Sequence, residues 1–307
     1  MLEVNKLYVG DTVEVMKKID DKSIQLILTS PPYNSSSRND DIKYPHGEYN
    51  DNITSEQYVE WMVDIFKEYQ RILKDKGVVA FNLSYTKYDP SLPYKVIAEI
   101  LNKTDFIVID TLAWEKSSVV PMSTSPDRLT RKCEFVYIFV KKNFQIKFDV
   151  NKEVSKVNDK TGQSFFKTYY NIFKARNNDG KVEGHNATFS TEFANFFVEL
   201  YSFEDTTVLD NFIGTGTTAI SCIRKKRNYI GIDNTQIYIN HANQRIENEL
   251  NGNNLEDPID KDLIDTEKTT SKPKRIAKKI ETKNQIKEIK DDTVKPKVDE
   301  IDDFWLA

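Results

Sequence analysis

The stretch Ile24-Gln-Leu-Ile-Leu-Thr-Ser-Pro-Pro-Tyr-Asn34 decides the fold of this chain. Its apolar run, from Ile24 to Leu28, predicts a short buried strand. Two prolines follow, and because neither has a backbone N–H, the strand cannot continue in a ladder beyond Ser30. The chain must therefore make a stiff turn at the carboxyl end of a buried strand, which is where open α/β sheets bind their ligands.

The groups on this turn suit a flat molecule that carries an amine. Ser30 has a hydroxyl, Pro31 and Pro32 hold rigid carbonyl groups, and Tyr33 offers an aromatic ring. Acceptors beside a stacking face fit a nucleobase with an exocyclic amine. The alternative is a plain strand-ending turn, since so short a motif has many chance matches.

A second stretch, Asp210-Asn-Phe-Ile-Gly-Thr-Gly-Thr-Thr218, has the layout of a nucleoside site. A predicted strand leads into Gly214 and Gly216, which let the backbone turn tightly and approach a ligand. The helix predicted from Thr217 presents its positive end to an anionic group. Asp233 ends the next predicted strand, near the spacing of an acid that accepts ribose hydroxyls. There is no Gly-Lys-Ser/Thr, which excludes a nucleotide-hydrolysing P-loop.

Around these stretches, predicted strands alternate with predicted helices, the pattern of an α/β domain with a parallel sheet. The clearest helix is predicted from Ser55 to Leu73, with apolar residues on one face and a stop at Lys76-Gly77. The other predicted strands cover residues 4–9, 78–83, 106–114, 135–140, 206–210 and 229–232. The other predicted helices cover residues 12–19, 93–101, 191–201, 217–226 and 235–250.

Residues 143–184 interrupt this alternation and mix basic with aromatic residues. That mixture suits phosphate contact and base stacking, although a satellite subdomain with its own aromatic core has the same composition. We predict residues 1–142 and 185–254 as two halves of one domain, 143–184 as an insertion, and 255–307 as a charged, disordered tail. The polar segment 35–54 is predicted as a loop, either a lid or a disordered insertion.

The composition excludes several classes of protein. With 307 residues, 38% of them hydrophobic, the chain can bury the core of one large or two modest domains. No apolar run could span a membrane and no signal peptide begins the chain, so we expect a cytoplasmic protein. Only Cys133 and Cys222 are present, which argues against a disulfide framework or a zinc site. The net charge of −4 leaves any nucleic-acid contact to a local basic surface.

These stretches together resemble the DNA amino-methyltransferases that use S-adenosyl-L-methionine, over nearly all of residues 1–250. Thr29-Ser-Pro-Pro-Tyr-Asn34 is similar to the catalytic motif of that family. The stretch from Asp210 to Thr218 is similar to its cofactor motif, with Asn211 and Thr215 in place of the usual proline and serine.

Three further segments carry the resemblance. Gly231-Ile-Asp233 resembles the motif that contains the ribose-binding acid. Gly10-Asp11 resembles the motif whose acid contacts the adenine of the cofactor. Gly184-His-Asn-Ala-Thr-Phe-Ser190 resembles the segment that closes over the methionine end, with Asn186 and Ser190 replacing its prolines. The resemblance implies catalytic roles for Ser30, Pro31, Pro32 and Tyr33. It implies cofactor binding by Asp11, Phe189, Asp210, Phe212, Gly214, Gly216, Thr217 and Asp233.

The resemblance also implies a fold and partners. The catalytic motif precedes the cofactor motif, as in the beta group, whose target-recognition region lies between them at residues 143–184. The expected fold is a mostly parallel, seven-stranded Rossmann-like sheet with helices on both faces and this small insertion. The expected partners are double-stranded DNA and a cognate restriction endonuclease, with a monomer and a homodimer both open.

The expected reaction follows from the chemistry of the turn. Ser30 and the Pro31 carbonyl accept the two hydrogens of the amine of a flipped base, Tyr33 stacks on that base, and the amine takes the methyl group. In the family, enzymes that methylate cytosine N4 usually carry serine at the position of Ser30. Enzymes that methylate adenine N6 usually carry aspartate or asparagine there. We therefore expect an N4-cytosine enzyme, with an N6-adenine enzyme as the runner-up. A nicotinamide-dependent oxidoreductase and an inactive DNA-binding module are the alternatives from other classes.

Overall fold

A computed structural model describes residues 2–34, 53–85, 89–117, 129–179 and 189–252. The ten strands in these ranges are β1 (Lys6–Val9), β2 (Ile24–Thr29), β3 (Leu73–Leu83), β4 (Phe106–Lys116), β5 (Cys133–Lys141), β6 (Val154–Val157), β7 (Ser164–Phe166), β8 (Ile172–Ala175), β9 (Thr207–Asp210) and β10 (Asn228–Asp233). The α-helices there are α1 (Thr12–Met16), α2 (Ser55–Ile72), α3 (Leu92–Lys103), α4 (Thr191–Tyr201), α5 (Thr217–Arg224) and α6 (Gln236–Leu250). The tail at 255–307 and most of the 35–54 segment lie outside the described residues.

One sheet organises these elements, in the strand order β1-β10-β9-β2-β3-β5-β4-β8. Every neighbouring pair is parallel except the two that β5 makes with β3 and β4. The mostly parallel sheet is thus confirmed, and β8 extends the expected seven strands by an eighth. Because β2 and β9 are parallel neighbours, the turns that follow them emerge side by side.

Helices cover both faces of the sheet, as predicted. One apolar cluster packs α1, α2 and α3 against one face. A second cluster packs α4, α5 and α6 against the other. Strand β2 is buried along its whole length, and its side chains at Leu26, Ile27 and Leu28 enter the two clusters alternately. Within the described residues, no helix is both long and apolar enough to cross a membrane.

Helix α2 begins where the sequence predicts and ends earlier than its expected stop. Thr54 caps it in a capping box with Gln57. The predicted stop at Lys76-Gly77 is wrong, because β3 already begins at Leu73 and includes Gly77. Leu73 pairs with Ile24 of β2, so the sheet extends β3 back over a polar segment where the sequence predicts the end of a helix.

The insertion contains a separate hairpin and a strand of the main sheet. β6 and β7 pair with each other, whereas β8 pairs with β4. Its aromatic side chains divide between two environments. Phe173 is partly buried, stacks on Phe196 of α4 and packs against the core, whereas Phe165 and Phe166 are 46% and 53% exposed. The insertion therefore has apolar groups both in the core and at the surface.

Candidate active site

The turn at residues 30–33, hereafter the proline turn, is held by one buried amide. The Asn82 side chain on β3 is almost fully buried, and its Nδ2 donates to the Phe135 carbonyl at 3.1 Å. Its Oδ1 then accepts from the hydroxyls of Ser30, at 3.1 Å, and Tyr33, at 2.7 Å. Because Ser30 gives its proton to Asn82, the lone pairs of the Ser30 oxygen remain able to accept.

The two proline carbonyls differ in their partners. The Pro32 carbonyl accepts from the hydroxyl of Tyr58, on α2, at 2.7 Å. Among the described residues, none of the hydrogen bonds ends on the carbonyl oxygen of Pro31. The proline turn thus offers two acceptors from one short segment, the Ser30 hydroxyl and the Pro31 carbonyl.

Tyr33 joins the proline turn to a charged pair on β4 and β5. Its hydroxyl lies 3.1 Å from the Ser30 oxygen and 3.2 Å from Oε2 of Glu134. The other oxygen of Glu134 accepts from Lys116, which also lies over the Trp114 ring. Burial, followed by the charge of Glu134, raises the pKa of the Tyr33 hydroxyl well above its ordinary value, so Tyr33 stays protonated.

The turn at residues 211–216, hereafter the glycine turn, depends on its two glycines. Gly214 has φ +50° and Gly216 has φ +87°, in the left-handed region that favours glycine. A Cβ on Gly216 would approach the Cβ of Ala242, on α6, to 2.9 Å. Helix α5 begins directly afterwards at Thr217, so its N-terminus opens onto this turn.

Asp210 is buried and links the two turns. Its Oδ1 accepts from Thr29 at 2.9 Å and from the Phe212 N–H at 3.2 Å, and its Oδ2 accepts from Thr218 at 2.6 Å. Burial raises the pKa of Asp210 to about 6, although these hydrogen bonds oppose the rise. Thr29 is the residue before Ser30, so Asp210 connects the end of β2 directly to the glycine turn.

Asp233 supports the same turn from the end of β10. Its Oδ2 accepts from the Gly214 N–H at 3.0 Å, and its Oδ1 accepts from the Thr235 N–H at 2.9 Å. Asp11 has a similar local task, because its Oδ1 accepts from the Glu14 N–H at 3.0 Å and caps α1. Both acids therefore lie where the sequence predicts, beside the glycine turn and at the start of α1.

The replacement of proline by Asn211 has a structural explanation. Asn211 is fully buried, and its Oδ1 accepts from the Tyr69 hydroxyl at 2.5 Å. Its Nδ2 donates to the Thr12 hydroxyl at 2.8 Å. A buried amide is stable only when its donors and acceptors are paired, and here the pairing fixes the glycine turn to α1 and α2.

Several residues of this region were not predicted. Arg245 of α6 donates to the carbonyl and hydroxyl of Thr215, at 2.7 and 3.1 Å, and lies 3.4 Å from Asp179. Trp61 of α2 packs edge-on against Phe212 at 5.5 Å. The sequence offered little signal for them, or for Asn82, Lys116 and Glu134, because each meets its turn only through the tertiary fold.

Phe189 is the predicted residue that the structure does not join to the others. Its described ring contact is with Phe193 of α4, at 4.7 Å between ring centroids. The preceding residues 180–188, which hold most of the predicted closing segment, lie outside the described residues. The remaining predicted site residues lie at the carboxyl ends of β1, β2, β9 and β10. Among the described residues there is no cluster of three His, Cys, Asp or Glu side chains that could hold a metal ion.

Comparison with known proteins finds a matching family and several relatives. The model of a family described as DNA methylase matches residues 24–244. The Type II methyltransferase M.Cfr9I of Citrobacter freundii is 28% identical over 282 residues, covering 81% of this chain and 90% of that relative. M.SmaI of Serratia marcescens is 27% identical over 277 residues, covering 78% and 90%.

Two solved structures share the fold. The structure described as PvuII DNA methyltransferase (cytosine-N4-specific) superposes with a TM-score of 0.61 at 19% identity, over 79% of this chain and 86% of that one. The complex of M1.HpyAVI with SAM gives a TM-score of 0.50 at 21% identity, over 78% and 98%.

Proposed function

Because this chain belongs to the DNA methylase family, we propose that it transfers a methyl group from S-adenosyl-L-methionine to the N4 amine of a cytosine in DNA. The observation that carries the proposal is the pair of acceptors on the proline turn. Asn82 directs the Ser30 proton away from the site, and the Pro31 carbonyl lies one residue further on. The two acceptors match the two hydrogens of an exocyclic amine.

The acceptors explain how the site activates a poor nucleophile. The lone pair of an exocyclic amine is conjugated with the ring. Hydrogen bonds from the amine to Ser30 and Pro31 localise that lone pair and hold the nitrogen in one orientation, so that positioning supplies much of the acceleration. The base must leave the duplex to reach the turn, and we assign to Tyr33 the stacking contact that holds it, worth about 1–3 kcal/mol.

The glycine turn suits S-adenosyl-L-methionine. The left-handed glycines let the backbone approach the ligand, and the N-terminus of α5 suits its carboxylate. We assign the ribose hydroxyls to Asp233 and the adenine amine to Asp11, and contacts along the ligand to Asp210, Phe212, Gly214, Gly216, Thr217 and Phe189. When bound, the cofactor supplies a methyl group on a sulfonium, whose carbon–sulfur bond breaks with its electron pair left on sulfur.

Two observations favour cytosine over adenine, the runner-up. Ser30 is a neutral acceptor, whereas an ionised aspartate would face the N3 lone pair of cytosine, next to the amine. The solved PvuII enzyme, described as cytosine-N4-specific, has the same fold. The matched family includes enzymes of both kinds, so the pocket around the base decides between them.

We further propose that residues 143–184 bind the DNA target, between a catalytic half at 1–142 and a cofactor-binding half at 185–254. Residues 152–174 carry five lysines against two acidic residues, although the whole chain has a net charge of −4. Phe165 and Phe166 are exposed beside them. A basic surface with exposed aromatics suits a duplex from which a base is extruded. A cytoplasmic location and a cognate restriction endonuclease complete the proposal.

The test is direct sequencing of DNA from a methylation-free host that expresses the protein, by a method that separates N4-methylcytosine from N6-methyladenine. We expect N4-methylcytosine within one short sequence, and none when the host expresses Ser30→Ala. N6-methyladenine alone would overturn the choice of base. Unmodified DNA, despite an abundant and folded protein, would contradict the proposed activity.

A further inference from the structure

The Glu134 side chain connects the proline turn with Lys116 and has no role in the reaction as described so far. Its Oε2 lies 3.2 Å from the Tyr33 hydroxyl, which lies 3.1 Å from the Ser30 oxygen. Its Oε1 pairs with Lys116. The Glu134 side chain is 17% exposed, so it is mostly enclosed yet reaches solvent at one side. A continuous chain of hydrogen-bonding atoms thus runs from Ser30 to a carboxylate at the edge of the site.

Methylation of an amine leaves a proton to remove. The nitrogen gains a carbon while it still holds two hydrogens, so it carries a positive charge until one N–H bond breaks. Conjugation with the base makes that nitrogen a strong acid, and a weak base within reach therefore suffices. Ser30 accepts one of these hydrogens in the proposed reaction. Its hydroxyl already carries a proton, so it can keep the new proton only if it donates the first one to another group.

We propose that Glu134 takes up the proton released by the amine, through Ser30 and Tyr33. This inference rests on the proposed function. As the nitrogen–carbon bond forms, the N–H proton moves to the Ser30 oxygen and the N–H electron pair stays on nitrogen. The Ser30 proton passes to the Tyr33 oxygen, and the Tyr33 proton passes to Oε2 of Glu134. No oxidant or reductant is needed, and Glu134 returns the proton to solvent before the next turnover.

The contacts around Glu134 suit this role. Lys116 holds Oε1 and so leaves Oε2 directed at Tyr33. The hydroxyls of Ser30 and Tyr33 also donate to Asn82, at 3.1 and 2.7 Å. Rotation about each C–O bond redirects the Ser30 proton towards Tyr33 and the Tyr33 proton towards Glu134. Among the described residues, the ionisable groups in hydrogen-bond or ion-pair contact with Glu134 are Lys116 of β4 and Tyr33 of the proline turn.

A purely structural role for Glu134 makes a different prediction. An anchor for the Tyr33 ring needs only an acceptor of the same size, which glutamine supplies, whereas glutamine cannot take up a proton. Glu134→Gln therefore separates the two roles. Glu115→Gln is the matched control. Like Glu134, Glu115 lies on the paired strands β4 and β5 and forms an ion pair with a lysine, Lys132, at 2.5 Å.

The decisive measurement is the single-turnover rate of methyl transfer to DNA. We expect Glu134→Gln and Tyr33→Phe each to lower it by about 100-fold, in the range of general acid–base catalysis. The double variant should fall no further, because both changes interrupt one chain. Glu115→Gln should stay within twofold of the wild type. Equal losses that multiply in the double variant would overturn the proposal, as would a Glu134→Gln rate near that of the wild type.

Two further readouts separate proton transfer from disturbed structure. Calorimetric titration with S-adenosyl-L-methionine, and fluorescence of DNA with 2-aminopurine at the target base, should give wild-type values for Glu134→Gln. Added formate should raise the methyl-transfer rate of Glu134→Ala at least tenfold, because formate acts as the missing base. Weakened base extrusion, or no rescue by formate, would contradict the proton-transfer role. A wild-type protein without methyl transfer would instead overturn the proposed function itself.

Discussion

The proline turn and the glycine turn lie at the ends of neighbouring strands and are built in opposite ways. The proline turn is stiff because its rings restrict the backbone, and it presents the Ser30 hydroxyl as an acceptor. The glycine turn is shaped by left-handed residues, and the described side chains of Asp210 and Asn211 bond within the protein. One turn thus presents side-chain and carbonyl oxygens, whereas the other presents backbone.

This difference indicates what each turn can bind. A small reactant such as an amine needs a few directed acceptors, and the proline turn provides them. A large nucleoside needs a close-fitting surface, which bare backbone provides. The two surfaces must also keep a fixed separation, and the bond between Thr29 and Asp210 supplies that link at 2.9 Å. Four changes to the chain would test this division.

Tyr33→Ala should have the largest effect. We expect kcat/KM for DNA methylation to fall at least about 100-fold, because the base loses its stacking face and Ser30 loses a neighbour. The affinity for S-adenosyl-L-methionine should stay within about threefold, since Tyr33 belongs to the proline turn. Calorimetry and methylation kinetics measure the two effects, with Tyr94→Ala, on the exposed side of α3, as the control. A collapse of cofactor affinity would show that the roles of the turns are mixed.

Asp233→Ala should weaken cofactor binding by about 10- to 100-fold, because both the Gly214 N–H and the ribose hydroxyls would lose an acceptor. The change tests whether side chains behind the glycine turn support its backbone surface. Calorimetric titration of a folded variant measures it, and Asp64→Ala, at the exposed surface of α2, is the control. Unchanged affinity would remove Asp233 from the cofactor site.

Asp210 should make stability depend on pH. The pKa of Asp210 is about 6 in the folded protein against 3.8 for the free group. The stability that protonated Asp210 contributes is therefore fully present below pH 3.8 and is lost as the pH rises through 6. The free energy of unfolding of the wild type, minus that of Asp210→Asn, should fall by about 1 kcal/mol between pH 5 and pH 7.5. Chemical denaturation measures the difference. Thr218→Val, which keeps the carboxylate, should retain a pH dependence, and a flat difference for Asp210→Asn would refute the assignment.

Deletion of residues 260–307 should have the smallest effect, leaving the rate of methyl transfer within about twofold of the full chain. The deleted segment is rich in charged residues and poor in large apolar ones, a composition that predicts no packed core. The truncated protein is compared with the full chain for cofactor affinity and methylation rate. A truncated protein that no longer folds would show that this segment contributes to the domain.

The sequence alone predicts most of the sheet and the two turns, because their signals are local. Apolar runs, prolines and glycines mark where β2 and β9 end, and helix α4 has the predicted bounds. Local signals fail where a distant strand decides the outcome. The sequence predicts the end of a helix at Lys76-Gly77, whereas β3 already begins at Leu73, which pairs with Ile24 of β2. Ile172 to Ala175 form a strand because β4 offers them an edge.

The residues that support the site were missed for the same reason. Asn82 is fifty-two positions from Ser30, and Glu134 is one hundred and one positions from Tyr33. Nothing in the neighbourhood of either residue distinguishes it from any other polar residue in a strand. The partner of Asn211 could not be predicted either, although the replacement of a usual proline indicated that something there had changed. Such contacts depend on side-chain placement, which composition and periodicity do not determine.

The pairing of β8 with β4 has a consequence for protein engineering. Beyond the backbone ladder, the Trp114 indole donates to the Ala175 carbonyl at 3.1 Å, so the end of the insertion is fixed to the sheet edge. An exchange of the proposed target-recognition segment between relatives should therefore be confined to residues 152–170, which leaves the host's own edge strand in place. A chimaera whose junction lies beyond Ala175 would also replace β8. The foreign strand would then have to pair with β4, the strand that carries Lys116.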